Sequence, residues 1–246
     1  MALFEAVRLH KRFGQRVVLE DITLAFEAGT TTGLMGPNGA GKTTCFNVLT
    51  GHFAPTRGRV LLDGRDVTGL APQTIARLGV ARSFQTISLF DTETAQDNVV
   101  VALPRIRARV ADAWRDLARD TAAQDEAAAL LGRVGLRGRE RTRARDLSYG
   151  ERRALEIALA LAGDPRVLFL DEPTSGLGAD GTARLADLVA ELKRRYTIVM
   201  IEHDMRFLFR LADVVHVIHW GQVIASGTPD ALRGDPWVAR SQLGAG

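Results

Sequence analysis

The run Gly-Pro-Asn-Gly-Ala-Gly-Lys-Thr at residues 36–43 has the residue types and spacing of a phosphate-binding loop. It fits the pattern G-x-x-x-x-G-K-[ST] in full and stands between a strand-like and a helix-like segment. Glycines let the backbone curl until successive N–H groups face an anion, and the following helix adds its positive N-terminal dipole. We therefore expect Lys42 to contact the β- and γ-phosphates of a nucleotide and Thr43 to ligate Mg²⁺. A chance match on a glycine-rich turn is the alternative, although Lys42 is one of only three lysines in an arginine-rich chain.

Two carboxylates follow a second strand-like run, VLFLDEP, at residues 167–173. Its four apolar residues predict a buried strand, and Asp171 stands at the carboxyl end, where α/β folds bind their ligands. Asp171 suits coordination of Mg²⁺ through water, and Glu172 suits general-base action on an attacking water. A pair of solvated carboxylates at a strand end is the alternative interpretation.

Two further polar residues end strand-like runs, His203 in VMIEHDM and Gln85 in ARSFQ. Since several parallel strands are expected to end at one site, we interpret His203 as a contact to the γ-phosphate. The amide oxygen of Gln85 is a candidate ligand for Mg²⁺ or a partner for the attacking water. Taken alone, such a histidine is more often structural, and such a glutamine is an ordinary surface residue.

The alternation of strand-like and helix-like segments predicts the elements that position these residues. Strand-like runs in the first third lie at residues 3–9, 19–27, 30–36 and 58–64. A helix-like run follows the glycine loop at 42–51, and another at 181–195 separates two buried strand-like runs. Residues 214–227 form a further buried strand-like run. This order predicts an α/β fold with a mostly parallel sheet covered by helices on both faces.

The middle of the chain, residues 85–162, has helical rather than strand-like patterning. Its one strand candidate is NVVVAL at 98–103, and DEAAALLGRVGL predicts a helix. A second amphipathic helix is indicated by apolar residues at spacings of four, four and three, namely Ile106, Val110, Trp114 and Leu117. We expect an inserted helical subdomain over 85–162 and a nucleotide-binding core formed by 1–84 and 163–246.

Composition excludes several classes of protein. The 46% of hydrophobic and 25% of charged residues are typical of a globular domain, and a net charge of +3 is weak evidence for a nucleic-acid partner. No apolar run approaches the roughly 18 residues of a membrane span, and the N-terminus has no signal-peptide pattern, so we expect a cytoplasmic chain. The only cysteine, Cys45, is interpreted as a core residue. Six arginines between residues 133 and 145 indicate a solvated connection or, alternatively, a contact to anionic lipid or an acidic partner.

A fifth motif, LSYGE at residues 147–151, completes an ordered set. GPNGAGKT, Gln85, LSYGE, VLFLDEP and His203 together resemble the nucleotide-binding subunit of an ABC transporter over nearly the whole chain. In that family the serine and glycine of the signature bind the γ-phosphate of ATP held by another subunit, which implies this role for Ser148 and Gly150. Phe13, in HKRFG, matches the aromatic that stacks on adenine, and a core position on an edge strand is its alternative.

The resemblance implies a P-loop NTPase core of mostly parallel sheet flanked by helices. It adds an antiparallel N-terminal β subdomain and an inserted α-helical subdomain that carries the signature. It implies ATP and Mg²⁺ as cofactors, with metal contacts from Thr43, Gln85 and Asp171. The expected catalytic residues are Glu172, His203, Gln85 and Lys42. The expected nucleotide contacts of the loop are Gly36, Pro37, Asn38, Gly39, Ala40, Gly41, Lys42, Thr43 and Thr44.

Finer motifs around Gln85, in IEHDM and in GQVIASGTPDALRGDP resemble ATPases of branched-chain amino acid importers, a group that includes urea and short-chain amide importers. This implies a transmembrane permease docked on residues 86–103, at the inner face of the membrane. It also implies a second ABC ATPase, identical or different, and an indirectly acting periplasmic or extracellular substrate-binding protein. The alternatives are an exporter ATPase, a soluble ABC ATPase of translation or DNA repair, and a P-loop kinase.

One position departs from the family pattern. Gly178 stands in SGLGAD where the family usually has Asp or Asn, a residue that helps couple the two ATP sites of a dimer. Asp180, two positions further on, is the candidate substitute.

Overall fold

Ten strands form two sheets in the computed structural model, which describes residues 2–83, 89–107 and 120–234. The strands are β1 Ala2–Phe13, β2 Arg16–Glu27, β3 Thr31–Met35, β4 Arg57–Leu62, β5 Arg65–Asp66, β6 Val80–Arg82, β7 Val167–Asp171, β8 Thr197–Ile201, β9 Val214–His219 and β10 Gln222–Gly227. The helices are α1 Lys42–Leu49, α2 Pro72–Arg77, α3 Ala95–Ala102, α4 Pro104–Arg107, α5 Thr121–Arg133, α6 Tyr149–Leu161, α7 Ala179–Leu192, α8 Met205–Leu211 and α9 Pro229–Leu232. None of these helices is long and apolar enough to cross a membrane.

The larger sheet aligns the strand ends that carry the predicted site residues. Its order is β10-β9-β3-β8-β7-β6, and every neighbouring pair from β9 to β6 is parallel. Strands β3, β7 and β8 are buried at every position, as expected for parallel strands covered on both faces. Their carboxyl ends lie at one edge of the sheet, so the loop after β3, the end of β7 and the segment after β8 are neighbours. The predicted mostly parallel sheet flanked by helices is confirmed.

The smaller sheet is antiparallel, in the order β2-β1-β4-β5, and packs against the first through aromatic side chains. Phe169 of β7 lies 4.9 Å from Phe46 of α1 and 5.8 Å from Phe4 of β1, between ring centroids, in edge-to-face contacts. Edge-to-face contacts of this kind stabilise a core beyond the area that they bury. Phe169 thus joins the phosphate-loop helix to the larger sheet and the larger sheet to the smaller one.

Residues 98–103 form no strand, so that prediction is wrong. They form the second half of α3 and the C-cap residue that follows it, Leu103. The hydroxyl of Thr94 caps the start of the helix by accepting a hydrogen bond from the N–H of Asp97. Val99 and Val100 are buried in the core to which α5 and α6 contribute. Valine is a poorer helix former than alanine by less than about 1 kcal/mol, and burial of the helix face outweighs that cost.

The strand-like run at 214–227 is not one strand but a hairpin of β9 and β10. The chain turns at Trp220 and Gly221, whose φ angles are +49° and +76°. Two consecutive left-handed residues are what a two-residue hairpin turn requires. The prediction of a single buried strand is therefore wrong for β10, most of whose residues are partly exposed.

The helical predictions for the middle of the chain have two outcomes. Helix α5 confirms the helix expected in DEAAALLGRVGL up to Arg133. Ile106 lies in α4, whereas the other residues of the second amphipathic pattern, Val110, Trp114 and Leu117, lie outside the described residues.

Candidate functional site

The loop at residues 36–43 folds tightly between β3 and α1. Gly36 has a φ of +146° and Gly41 a φ of +104°. A Cβ atom at Gly36 would lie 2.0 Å from the carbonyl oxygen of Ile218, and one at Gly41 would lie 2.9 Å from that of Val18. Both positions thus require glycine for the φ angle and for space, which explains the glycines of the motif.

Lys42 is held over this loop although its side chain is almost fully buried. Its Nζ donates hydrogen bonds to the carbonyl oxygens of Gly36 and Pro37, at 2.8 and 2.9 Å. Burial lowers the pKa of Lys42, and the negative charges of Glu172 and Asp171 oppose that shift. A desolvated cation beside the N-terminus of α1 is a strong binding site for phosphate oxygens.

A cavity of about 270 Å³ opens beside the loop. It is lined by Arg16, Val18, Asn38, Gly39, Ala40, Gly41, Lys42, Thr43, Thr44, Glu172 and His203. The structure thus brings together the phosphate loop, the residue after β7 and the histidine after β8, three segments that are far apart in the sequence. A cavity with this lining can take a phosphate chain along the loop and present its end to Glu172 and His203.

The rim of the cavity includes two residues that sequence reasoning missed, Arg16 and Val18. Both belong to β2, and Arg16 pairs with Phe13 across the β1–β2 hairpin. Phe13 is itself 43% exposed, with Lys11 Nζ 4.8 Å from its ring centroid, so it is not a buried core residue. The signal that could have identified Val18 is its place on the strand paired with that of Phe13.

Asp171 is fully buried at the end of β7. Its Oδ2 accepts a hydrogen bond from Nη2 of Arg82 at 2.6 Å, and Arg82 Nη1 also donates to Oδ1 of Asn47 at 2.6 Å. Oδ1 of Asp171 has no hydrogen-bond partner among the described residues. Arg82 was not predicted; the signal for it was a charged side chain in a short strand that ends at the site.

An oxygen left without a partner in a buried carboxylate fits a cation or cation-bound water. No group of three or more His, Cys, Asp or Glu side chains in the described part of the chain is arranged to hold a metal ion. Mg²⁺ in nucleotide sites is held by one or two protein oxygens together with phosphates, and Asp171 with Thr43 fits that donor set. Gln85, the third predicted metal contact, lies outside the described residues.

Glu172 and His203 face each other at the edge of the cavity. Nε2 of His203 lies 3.1 Å from Oε1 of Glu172, within hydrogen-bond distance. The backbone of Glu172 has a φ of +46°, which is uncommon for a residue with a side chain. The arrangement places a carboxylate, aimed by a histidine, beside the phosphate loop.

Glu202, which sequence reasoning missed, holds the two segments of this pair together. It is almost fully buried; Oε1 accepts from the N–H of Thr174 at 2.8 Å and Oε2 from that of His203 at 3.0 Å. Burial raises the pKa of Glu202, and these backbone donors oppose the shift. Its carboxylate therefore links the turn after β7 to the segment after β8.

The signature residues lie at the start of α6. Ser148 caps the helix: its Oγ accepts from the N–H of Glu151 at 3.3 Å, and its own N–H donates to Oε2 of Glu151 at 2.8 Å. Ser148 is exposed, and neither it nor Gly150 is among the residues that line the cavity. The two residues predicted to bind phosphate in the signature thus lie outside the lining of the chain's own cavity.

Helix α6 is joined to the end of β7 by Arg153, which is 2% exposed and was not predicted. Its Nη2 donates to the carbonyl oxygens of Asp171 and Glu172, at 3.2 and 2.8 Å. Its Nη1 donates to Oε2 of Glu156, also buried, at 2.8 Å. The signature helix and the carboxylate pair are therefore one connected unit.

Comparisons with known proteins show which family the chain belongs to. Residues 19–175 match the protein family described as "ABC transporter". The chain is 39% identical to the high-affinity branched-chain amino acid transport ATP-binding protein LivG of Escherichia coli (strain K12), over 96% of this chain and 95% of LivG. It is 34% identical to the lipopolysaccharide export system ATP-binding protein LptB of Acidithiobacillus ferridurans, over 98% and 97% of the two chains.

A solved structure extends the comparison to three dimensions. The ADP conformation of MJ1267, an ATP-binding cassette of an ABC transporter, superposes with a TM-score of 0.90 at 26% identity and covers 99% of each chain. The family predicted from the five motifs, that of ABC transporter nucleotide-binding subunits, is confirmed. The chain belongs to the ABC transporter family and is one of its ATP-binding, ATP-hydrolysing subunits.

Proposed function

We propose that this chain hydrolyses ATP to drive an importer of branched-chain amino acids or of related small polar or amide compounds. The observation that carries the proposal is a cavity lined together by residues of the phosphate loop, by Glu172 and by His203. The greater identity to LivG than to LptB, 39% against 34%, favours import over export.

The loop binds the phosphates of ATP. Its amides and the N-terminus of α1 surround the anion, and Lys42 contacts the β- and γ-phosphates. Phe13 stacks on the adenine beside Arg16 and Val18. The remaining contacts are Gly36, Pro37, Asn38, Gly39, Ala40, Gly41, Thr43 and Thr44.

The carboxylates and His203 act on the γ-phosphate end. Thr43, Asp171 and Gln85 would hold Mg²⁺, which when bound neutralises charge on the phosphates. Glu172 accepts the proton of the attacking water. His203, 3.1 Å from Glu172, orients that carboxylate and contacts the γ-phosphate.

A second ABC ATPase, identical or different, completes the site. Ser148 and Gly150 of one chain bind the γ-phosphate held by the other chain's loop, which agrees with their position outside their own cavity. In this arrangement residues 85–162 form a helical subdomain and residues 1–84 with 163–246 form the core.

A transmembrane permease docks on residues 86–103 and holds the chain at the cytoplasmic face of the membrane. Within the described part of this segment, Phe90 is 59% exposed and Val101 is 37% exposed, which suits contact with another protein. A periplasmic or extracellular substrate-binding protein supplies the cargo without touching this chain.

Glu172→Gln tests the assignment of the base, with Glu191→Gln on the exposed face of α7 as control. ATP binding should change by less than about threefold in both variants. Turnover should fall by a factor on the order of 10²–10⁴ in Glu172→Gln alone, since a positioned general base contributes about that much. Unchanged ATPase activity in Glu172→Gln would refute the assignment.

The cargo needs a separate measurement. Cells that carry Glu172→Gln in place of the wild-type chain should lose uptake of radiolabelled leucine, whereas cells with Glu191→Gln should retain it. Full leucine uptake in the presence of an ATPase-deficient variant would overturn the cargo and leave the ATPase assignment intact.

A further inference from the structure

The third residue of the signature, Tyr149, contacts the turn that follows the carboxylate pair. Its hydroxyl donates a hydrogen bond to the carbonyl oxygen of Ser175 at 3.1 Å. Its ring lies against Gly176, because a Cβ atom at that glycine would be 2.9–3.0 Å from the Tyr149 ring and hydroxyl. Gly176, with a φ of +78°, thus leaves the space that the ring occupies.

Ser175 connects this contact to the proposed base. The N–H of Ser175 donates to the carbonyl oxygen of Glu172 at 3.1 Å, so one residue links Tyr149 to Glu172 through two hydrogen bonds. Tyr149 follows Ser148 directly in the sequence, and its side chain is 47% exposed. A group that engages Ser148 therefore arrives next to the first bond of this connection.

The connection joins two half-sites that serve different nucleotides. Ser148 is proposed to bind the partner's ATP, whereas Glu172 acts on the ATP of its own chain. The family's usual acidic or amide residue for coupling the two sites is replaced by Gly178, which has no side chain for this purpose.

We propose that Tyr149 is a positioning residue that couples the two ATP sites, because it transmits engagement of Ser148 through Ser175 to Glu172. This inference rests on the proposed dimeric ATPase. Its basis is the hydrogen-bonded path from Tyr149 to Glu172, together with the ring contact that fixes Tyr149 on Gly176.

Tyr149→Phe removes the hydroxyl and keeps the ring on Gly176, so it isolates the hydrogen bond. The chain has only one other tyrosine, Tyr196, whose buried hydroxyl has no hydrogen-bond partner in the described residues, and Tyr196→Phe is the matched control. Both variants and Glu172→Gln are purified as full chains. ATP affinity, thermal midpoint, kcat and the Hill coefficient of ATP hydrolysis are measured at protein concentrations at which ATP pairs the wild-type chains.

Loss of one hydrogen bond predicts a fall in kcat of about three- to tenfold for Tyr149→Phe, with a Hill coefficient closer to one. Its ATP affinity should stay within about twofold of wild type, and Tyr196→Phe should match wild type in kcat and Hill coefficient. The coupling role is overturned if Tyr149→Phe keeps the wild-type kcat and Hill coefficient, or if it weakens ATP binding at unchanged kcat. It is also overturned if Tyr196→Phe loses as much kcat, or if the wild-type protein itself has a Hill coefficient of one.

Glu172→Gln separates this result from failure of the proposed function. If that variant keeps wild-type turnover, the assignment of Glu172 as the general base is wrong and the coupling inference falls with it. If it loses turnover while Tyr149→Phe behaves as wild type, only the coupling inference is refuted.

Discussion

Replacement of Arg153 by methionine is expected to destabilise the protein severely, because this arginine is the buried connection between α6 and β7. Its guanidinium donates to the carbonyl oxygens of Asp171, Glu172 and Pro173 and to the carboxylate of Glu156. Methionine fills much of the same volume but can donate none of these hydrogen bonds.

The magnitude follows from the burial of the ion pair. Arg153 and Glu156 are 2% and 6% exposed at their side chains, and their charged atoms lie 2.8 Å apart. Breaking a buried pair by removing one partner costs roughly 3–5 kcal/mol, most of it from the charge that is left in a low-dielectric environment. We therefore expect a loss of about 3–5 kcal/mol in the free energy of unfolding, well above the 0–1 kcal/mol of an exposed pair.

Urea unfolding measures this loss against two controls. Arg210→Met breaks an exposed ion pair to Asp187 on the surface and should change the free energy of unfolding by less than about 1 kcal/mol. The double variant Arg153→Met, Glu156→Met removes both charges and should recover at least about 2 kcal/mol of the single variant's loss. A loss below about 1 kcal/mol in Arg153→Met, or no recovery in the double variant, would refute the reasoning.

Three further predictions concern pH and the phosphate loop. Because burial raises the pKa of Glu202, the folded chain retains a proton that the unfolded chain loses. In urea unfolding, the stability of the wild type relative to Glu202→Gln should therefore fall as the pH rises from about 4.5. An increase in that relative stability with pH would contradict this prediction. Burial lowers the pKa of His216 from 6.5 to about 4, so the free energy of unfolding should decrease as the pH falls below about 6.5. The decrease is ~2 kcal/mol at about pH 5, and the variant His216→Gln should not show it. Gly36→Ala would place a Cβ atom 2.0 Å from the carbonyl oxygen of Ile218 and should weaken ATP binding at least about tenfold in calorimetry. Gly39→Ala, which meets no atom within 4 Å, should weaken it less, and equal losses would show that the clash is not the cause.

The local parts of the site could be predicted from the sequence because each is defined by adjacent residues. The loop at 36–43 carries its own turn chemistry and stands between a strand and a helix, and Asp171 follows four buried apolar residues. Parallel strands share one edge, so the meeting of Glu172 and His203 also followed from the order of elements. These inferences needed the pattern of the chain and no long-range contact.

The residues that the sequence did not reveal act through partners that are distant in the chain. Arg82 pairs with Asp171, 89 positions away, and Glu202 accepts from the N–H of Thr174, 28 positions away. Helix α3 was missed for a related reason: its valines favour a strand locally, and only packing in the core shared with α5 and α6 makes the helix the better choice.

The position of the proposed base is fixed through its backbone as well as through the contact of its side chain with His203. Glu172 has a left-handed φ of +46°, a conformation that costs on the order of 1–3 kcal/mol and persists only where neighbours determine it. Its N–H donates to the carbonyl oxygen of Ile201, and its own carbonyl oxygen accepts from Ser175 and from Arg153. These bonds come from β8, from the turn and from the signature helix, so a movement of any of the three changes the direction of the carboxylate. Substitutions that remove one of these hydrogen bonds should therefore lower kcat more than they weaken ATP binding. The reason is that the loop around Lys42 is held by contacts of its own.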